Sequence, residues 1–433
     1  MLHALMMQAR DTSLIMGVLA LIGLLLQKKP AKDVISGTVK TVVGFMVFNI
    51  GSSAMSGVVS TFSTLFNTAF GVNGVTTQVE VATGLALGQY GTEVALVMIF
   101  GFLCNLLFAK YTKFKAIFLT GQHFLYFACV LALVLLSYHL PTWAVIVFGG
   151  IILGFCGAAL PTLCQPYMRK ITGSDDIAMG HFNCIGYAFS GWLGKLIGGK
   201  KTDDNKEKTD SSNVNLPKWF ELFRDFVFSV AMFMVVLFYI VTIACAVTGN
   251  MEAVTKACGN DIWFIWPIIE GLQFAAGMSV LIYGVRQFIA EITAAFVAIS
   301  EKYIPDSKPA VDCPAVFPFA PNAVLVGFIG AFLGGLFAMA LMVAFHSETI
   351  MIPAAGICFF SGGTCGVFGN AYGGWKGALI SSFLVGIVLC AFPLVLYPAF
   401  LQLSPDLAGA SFPNVDYNVV GSLLYYILKI FIH

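Results

Sequence analysis

The sequence predicts an all-α, polytopic integral membrane protein, and three observations carry that prediction. Its 433 residues are 58% hydrophobic and only 10% charged, where soluble domains run near 25% charged. Mean hydropathy is +0.88. The apolar residues gather into runs of about 20, the length that crosses a bilayer as a helix. The net charge of +1, from 23 Lys and Arg against 22 Asp and Glu, speaks against a nucleic-acid partner. The 11 cysteines lie mostly inside apolar runs, as at Cys104, Cys129, Cys156 and Cys390, and no C-x-x-C pair occurs. They are expected to be small packing residues, neither disulfides nor metal ligands. The N-terminal MLHALMMQARDTS lacks a basic region and a small-residue cleavage site, so a removed signal peptide is not expected.

Taken in order, residues 14–27 form a short first span closed by Lys28, Lys29 and Lys32. Residues 42–62 are apolar but rich in Gly and Ser (Gly51, Ser52, Ser53, Ser56, Gly57), which suits close helix packing. Residues 63–91 mix Thr, Gly and an acid and are expected to be interfacial or re-entrant. Clear spans follow at 93–109, 116–136 and 143–163. Residues 177–199 are apolar yet broken by Gly, His, Asn and Ser, the texture of a hairpin. Residues 200–216, KKTDDNKEKTDSSNVNL, are charge-dense and expected to be a solvated, mobile loop. Residues 222–247 and 263–285 are spans, and 286–303 is amphipathic, with Arg286, Glu291, Glu301 and Lys302 among Ile, Ala and Phe. Residues 306–327 hold Pro309, Pro314, Pro318 and Pro321, which remove donors and fix φ, so no regular helix forms there. Then come 322–345, a Gly-rich break at 361–374, 375–400 and 419–432. About ten or eleven crossings and two or three irregular segments are expected.

The basic clusters at Lys28/Lys29/Lys32, Lys110/Lys113/Lys115 and Arg169/Lys170 fall on one side of the membrane, which is cytoplasmic by the positive-inside rule. The loop after Lys200 joins them if 177–199 enters and returns without crossing. The halves also echo each other: EVALVMIFGF (93–102) aligns without gaps to NAVLVGFIGA (322–331). Each follows a polar, non-helical stretch with an acid, Glu80 or Asp312. Secondary transporters carry such repeats, with the site where they meet. Pseudo-repeats over about 14–165 and 263–400 are therefore expected within one membrane-embedded unit.

Four places set polar side chains among apolar ones. Asp312 comes first: an acid in an irregular, apolar segment is a functional candidate by default, against a plainer role capping the next helix. Glu80, with Gln89 and Glu93, is the second, or else an interfacial loop. In LTGQHFLY (119–126), Gln122 and Tyr126 share a helical face and His123 lies about 100° away; interhelical hydrogen bonding alone is the alternative. Last is Gly180-His181 with Asn183, a site or a satisfied core histidine. No G-x-S-x-G, P-loop or H-E-x-x-H motif occurs, and the six histidines are too dispersed in sequence to suggest a metal cluster. Amides, imidazoles, a phenol and carboxylates suit a polyhydroxylated small solute. That chemistry leaves open a sugar permease, a proton-coupled transporter using Asp312 or Glu80, and a membrane enzyme acting on lipid.

The sequence resembles the L-ascorbate-type enzyme IIC permeases of the bacterial phosphotransferase system. GTVKTVVGFM (37–46), LTGQH (119–123), MGHFN (179–183), LPKWFELFRD (216–225), YGVRQFIAEITAAF (283–296), VDCPAVFPFAPNAV (311–324) and GVFGNAYGGWKGAL (366–379) carry the likeness, in the family's order, from about residue 14 to 400. The resemblance implies a homodimer in the bacterial inner membrane, each protomer split into a substrate-holding core and a V-shaped motif domain. It implies binding and translocation of L-ascorbate, or of another sugar, sugar acid or polyol, with phosphorylation by the phosphocysteine of a separate cytoplasmic enzyme IIB fed by IIA. This chain would then be a carrier without cofactor, metal or catalytic residue, and no fused IIB domain is expected after His433. Its cytoplasmic loops at 110–115 and 200–218 are candidate docking surfaces. The resemblance implies substrate contacts from the 78–80 segment with Glu80, and from Gln122, Tyr126, His181, Phe182 and Asp312; the polar residues His123 and Asn183 beside them complete the candidate substrate-binding set. Three depart from the family pattern: Gln122 stands where His is usual, Tyr126 where Gln is, and Phe182 where Gln follows Gly-His.

Overall fold

Hydrocarbon offers no partners to backbone groups, so the long apolar runs must satisfy their own as helices. A computed structural model describes residues 12–199, 210–213, 217, 222–223, 225–304 and 306–432. Most of the charged run 200–216 lies outside the described residues. In order, the elements are α1 (Thr12–Leu26), α2 (Ala31–Phe70), β1 (Asn73–Thr76), α3 (Val79–Tyr111), β2 (Ala116–Phe118), α4 (Gly121–Ser137), α5 (Thr142–Thr172), β3 (Ala178–Met179) and α6 (Cys184–Gly198). The second half holds α7 (Phe226–Val247), α8 (Met251–Cys258), α9 (Trp266–Tyr303), β4 (Lys308–Val311), α10 (Pro321–Ala344), β5 (Thr349–Ile352), α11 (Gly363–Ala391), α12 (Tyr397–Leu403) and α13 (Val415–Phe431). Among the described residues seven helical stretches are long and apolar enough to cross a membrane. Shorter helices of 15 to 17 residues, α1, α4, α6 and α13, complete the bundle. The all-α class holds, and the strands are two to four residues each.

Several segment boundaries differ from the sequence reading; the span expected at 116–136, for one, opens as β2 and is helical only from Gly121. The stretch 63–91 is divided: α2 runs on to Phe70, and α3 starts at Val79 with a kink at Tyr90. Trp266–Tyr303 forms one long helix rather than a span and a separate amphipathic piece. The Gly-rich break at 361–374 stays helical, through a wide turn at Cys358–Gly362 and a kink at Gly374 (φ 63°, ψ −160°). The last helix begins at Val415, four residues earlier than its apolar run, because Asn183 on another element caps it.

The helices sort into two packed groups. α2 and α9 lie along one another with α1 and α7 against them, while α3, α4, α5, α6, α10 and α11 form the other group. The expected Gly/Ser packing is there: a Cβ on Gly44, Gly51 or Gly284 would collide with backbone of the facing helix, so only glycine permits that approach. All 11 cysteines are buried and free.

The prolines do what their chemistry requires. Residues 308–320 form β4 and two 3₁₀ turns, and Pro321 opens α10, where its missing N–H costs nothing. The short strands then meet in parallel across long sequence distances. β1 pairs with β5, Asn73 opposite Thr349, and β4 lies between β2 and β3. Gly180 sits so near the Ala310 carbonyl that a Cβ would collide with it, and its N–H donates to the Val311 carbonyl. The strand–helix units β1–α3 and β2–α4 of the first half thus pair crosswise with β4–α10 and β5–α11 of the second.

Ion pairs fasten the starting end of the three-stranded sheet. Lys115 meets Asp306 at 3.0 Å, and Asp175 takes Lys308 at 2.6 Å and Arg169 at 3.6 Å. The Lys308 and Gln165 hydrogen bonds hold the Asp175 carboxyl below its ordinary value of 3.8. A carboxyl held low in the folded state stabilises fully above its unfolded value and loses that effect as pH falls through the folded one. Asp175→Asn is therefore expected to lower the melting temperature slightly at pH 7, as exposed pairs do. The two melting curves should converge below pH 3.8; a gap that persists there would mean that packing, not charge, is what the variant lost.

Candidate functional site

All five strands run parallel to their sheet neighbours, and the chain segments leaving them converge on one small cavity. After β1 comes Glu80, after β2 Gln122 and His123, after β3 His181, after β4 Asp312, and after β5 Gly356 and Ile357. Helices α3 and α4 start at this cavity, so the positive ends of their dipoles face it, an arrangement that favours anionic groups. From the other helix group, α9 contributes Ile282 and Arg286. The cavity therefore sits between the two groups, with part of its wall on each.

Asp312 stands at the centre. Its Oδ1 accepts the Cys313 N–H at 2.8 Å, capping the first 3₁₀ turn, and its Oδ2 accepts from Gln122 Nε2 at 3.0 Å. The sequence allows this acid a site role or a cap on the next helix; it caps the 3₁₀ turn instead of that helix, and it lines the cavity. The Asp312 side chain keeps 29% of its surface, against 9% for His123, so the carboxylate has faces free for a solute.

The two histidines face each other with ring centroids 3.8 Å apart. His181 Nδ1 hydrogen-bonds the Tyr187 hydroxyl at 2.7 Å, and His123 Nδ1 the Tyr417 hydroxyl at 3.1 Å. With both Nδ1 atoms engaged, Nε2 is the nitrogen each ring offers the cavity; that of His123 lies 3.7 Å from Asp312 Oδ1, beyond hydrogen-bond length. Gln122 and Tyr126 line the cavity from one face of α4, as their spacing predicts. His123 lines it as well, because the cavity lies at the tip of α4, where first-turn residues converge whatever their azimuth.

Two expected residues lie behind the wall. Phe182 is fully buried, stacked on Phe118 at 4.1 Å and 11° and packed on Phe127. Asn183 is buried too, its Oδ1 accepting the Val415 N–H at 3.1 Å. Neither lines the cavity. Of the Glu80 cluster only Glu80 does so; Gln89 instead donates to Asp406 at 3.0 Å on an exposed surface.

Sequence reasoning misses Arg286, Tyr187 and residues 414–417. It assigns Arg286 to an amphipathic helix, although a cation within that long apolar helix carries the same signal as Asp312. Asp416 is fully buried, and its carboxylate accepts the N–H groups of Cys184 (2.8 Å) and Ile185 (2.9 Å). The starts of α6 and α13 thereby cap each other, Asn183 serving α13 and Asp416 serving α6.

His123, His181 and Asp312 place their ligating atoms within 4.8 Å of one another, so three histidine and acid positions far apart in sequence do meet in space. This donor set suits hydroxyl groups and would also suit a divalent cation. A chelator is expected to leave solute binding unchanged; loss on chelation with recovery on adding zinc would make the site a metal-bridged one.

The cavity measures about 40 Å³, room for little more than a water molecule, whereas small-molecule pockets run to about 300–1,000 Å³. A sugar-sized solute would fit only in a wider form of this cavity. Close by, a cavity of about 490 Å³ opens beside the β1–α3 junction, lined by Ser56, Ser60, Ser63, Thr64 and Asn67 along one face of α2.

A bundle of helices long and apolar enough to cross a membrane, with a polar, charge-bearing cavity between two helix groups, defines a multi-pass membrane protein with an internal polar site. The family described as the PTS system sugar-specific permease component, EIIC-GAT, matches residues 8–416. The chain belongs to that family of transport components of the phosphotransferase system, and it is a multi-pass protein of the bacterial cell membrane. It is similar to a protein of Mycoplasma pneumoniae named as the ascorbate-specific PTS system EIIC component, 28% identical over 439 aligned positions. The alignment takes in 89% of this chain and 65% of that relative's length.

Proposed function

We propose that the chain binds L-ascorbate and carries it across the inner membrane for phosphorylation by a separate cytoplasmic enzyme IIB, fed in turn by IIA. The observation that carries this reading is the cavity itself: Asp312, Gln122, His123 and His181 converge with Glu80, Tyr126 and Arg286 at the tips of five strands. Carboxylates and imidazoles answer the hydroxyl groups of the solute. Arg286 and the helix starts answer its negative charge. The name of the Mycoplasma relative supports ascorbate in particular.

In this reading the α2/α9 group is the V-shaped motif domain, through which two copies form a homodimer, and the other helices are the substrate-holding core. Sliding of the core against α9 opens the cavity to one side and then the other. The hydroxyl-lined cavity beside α2 is the way in, since the positive-inside rule puts the start of α2 in the cytoplasm and this polar face lies toward its other end. The crosswise pairing of β1–α3 and β2–α4 with β4–α10 and β5–α11 supports the internal repeat, the two halves building the site together. The basic segment 110–115 is offered to IIB at the cytoplasmic face.

Membrane vesicles containing the protein and its phosphotransferase partners test the reading. Uptake that requires phosphoenolpyruvate and yields phosphorylated ascorbate is the expected result. Uptake abolished by a protonophore alone, without phosphorylation, would replace the permease with a proton-coupled carrier. Purified protein that binds xylitol or galactitol and not ascorbate would keep the family and change the substrate, pointing to Tyr126 as the residue that reshaped the pocket.

A further inference from the structure

We propose that Asn414 is a substrate-binding residue, its side-chain amide both donating to and accepting from neighbouring hydroxyl groups of the solute. The inference rests on the reading of this cavity as the solute site. Asn414 is fully buried, lines the cavity with His123, His181 and Asp312, and neither its Oδ1 nor its Nδ2 has a hydrogen-bond partner among the described residues. A buried amide without a partner is unfavourable, and buried polar groups are otherwise almost always paired. A side chain kept in that condition at a cavity wall is one that a ligand completes.

The obvious structural duty of Asn414 is already filled. It occupies the position before the first residue of α13, where Asn commonly caps a helix through its side chain, yet makes no such bond. Asn183 accepts the Val415 N–H in its stead. The backbone carbonyl of Asn414 is likewise engaged, by the backbone N–H and the Nδ2 of Asn418. Only the amide is left, and it offers two donors and a two-lone-pair acceptor on one planar group. That pattern matches a vicinal pair of hydroxyls, one accepting and one donating. His123 and Asp312, across the same cavity, then serve the remaining polar edge.

The experiment is ligand binding by purified full-length protein carrying Asn414→Leu, near in volume and without polar atoms. L-ascorbate is the probe, and the melting temperature is recorded on the same samples. A site built to hydrogen-bond a hydroxyl discriminates strongly against losing a partner, so Kd is expected to rise by about 10–100-fold. The melting temperature should hold or rise, because an unpaired buried amide has been removed. A Kd within twofold of wild type would overturn the proposal. So would a rise in Kd that only follows a fall in melting temperature, if it is absent in Asn414→Ser, the smaller variant that also serves should the Leu protein not fold. Should wild type not bind ascorbate, the substrate reading fails by itself; the comparison is then made with xylitol or galactitol, whichever wild type binds, and the same rise in Kd supports the proposal or its absence overturns it.

Discussion

Asp312→Asn should fold normally and bind L-ascorbate about 100-fold more weakly, the larger of the two binding defects expected from substitutions at this site. The variant keeps one side-chain oxygen for the Cys313 N–H, so the turn that Asp312 caps survives. It loses the charged acceptor that Gln122 uses and that the proposed function gives to the solute. Hydrogen bonds to a charged group contribute about 1.5–3 kcal/mol each, and the loss of one or two from the solute gives roughly 2–4 kcal/mol, or about 30- to 1,000-fold in Kd. Gln122 can turn its own amide to meet the one introduced at position 312, so the protein should repair itself locally while the solute cannot. Binding measured on monodisperse protein, with the melting temperature beside it, checks this. A Kd within threefold of wild type would remove Asp312 from the contact set and return it to a purely capping role.

The features common to sequence and structure are those that chemistry states locally. Three prolines forbid a helix at 308–320, and an acid among them had to be accommodated somewhere polar. The i, i+4 spacing of Gln122 and Tyr126 needs only the period of a helix. What the sequence could not show is assembled over distance. β1 and β5 pair residues 73 and 349, in strands too short for an alternating pattern to register. His123 enters the site through the position of a helix tip, which no azimuth records. Phe182 sits beside the cavity-lining His181 and draws a role from it in sequence, although its ring belongs to the Phe118 stack. Asp416 is the miss that carries a signal: an acid at the threshold of an apolar run meets the same test that singles out Asp312. Starting that run at residue 419 hides it.

Asp416→Ala is expected to be the most damaging single substitution to folding, and to act on the site only through structure. It would strip the N–H groups of Cys184 and Ile185 of their acceptor inside the bundle, where no water replaces it. Each orphaned buried donor costs about 1–3 kcal/mol, so roughly 2–6 kcal/mol in all, enough to exhaust much of a marginal stability. Loss of monodisperse protein on size-exclusion chromatography, or a large fall in melting temperature, is the readout. Asp416→Asn keeps one acceptor and should fall between. The contrast with Asp312→Asn separates the two acids: one variant is expected to be stable and weak in binding, the other unstable, with any folded fraction binding near normally once His181 is seated. The reason lies in the crosswise caps. Asn183 and Asp416 fix the start of α6 against the start of α13, and residues 181 and 417 on those same segments supply one imidazole and the phenol that steadies the other. A folded Asp416→Asn protein with wild-type affinity would show that the caps need an acceptor but not its charge; a folded one that fails to bind would show that the negative charge itself helps set the field in the cavity.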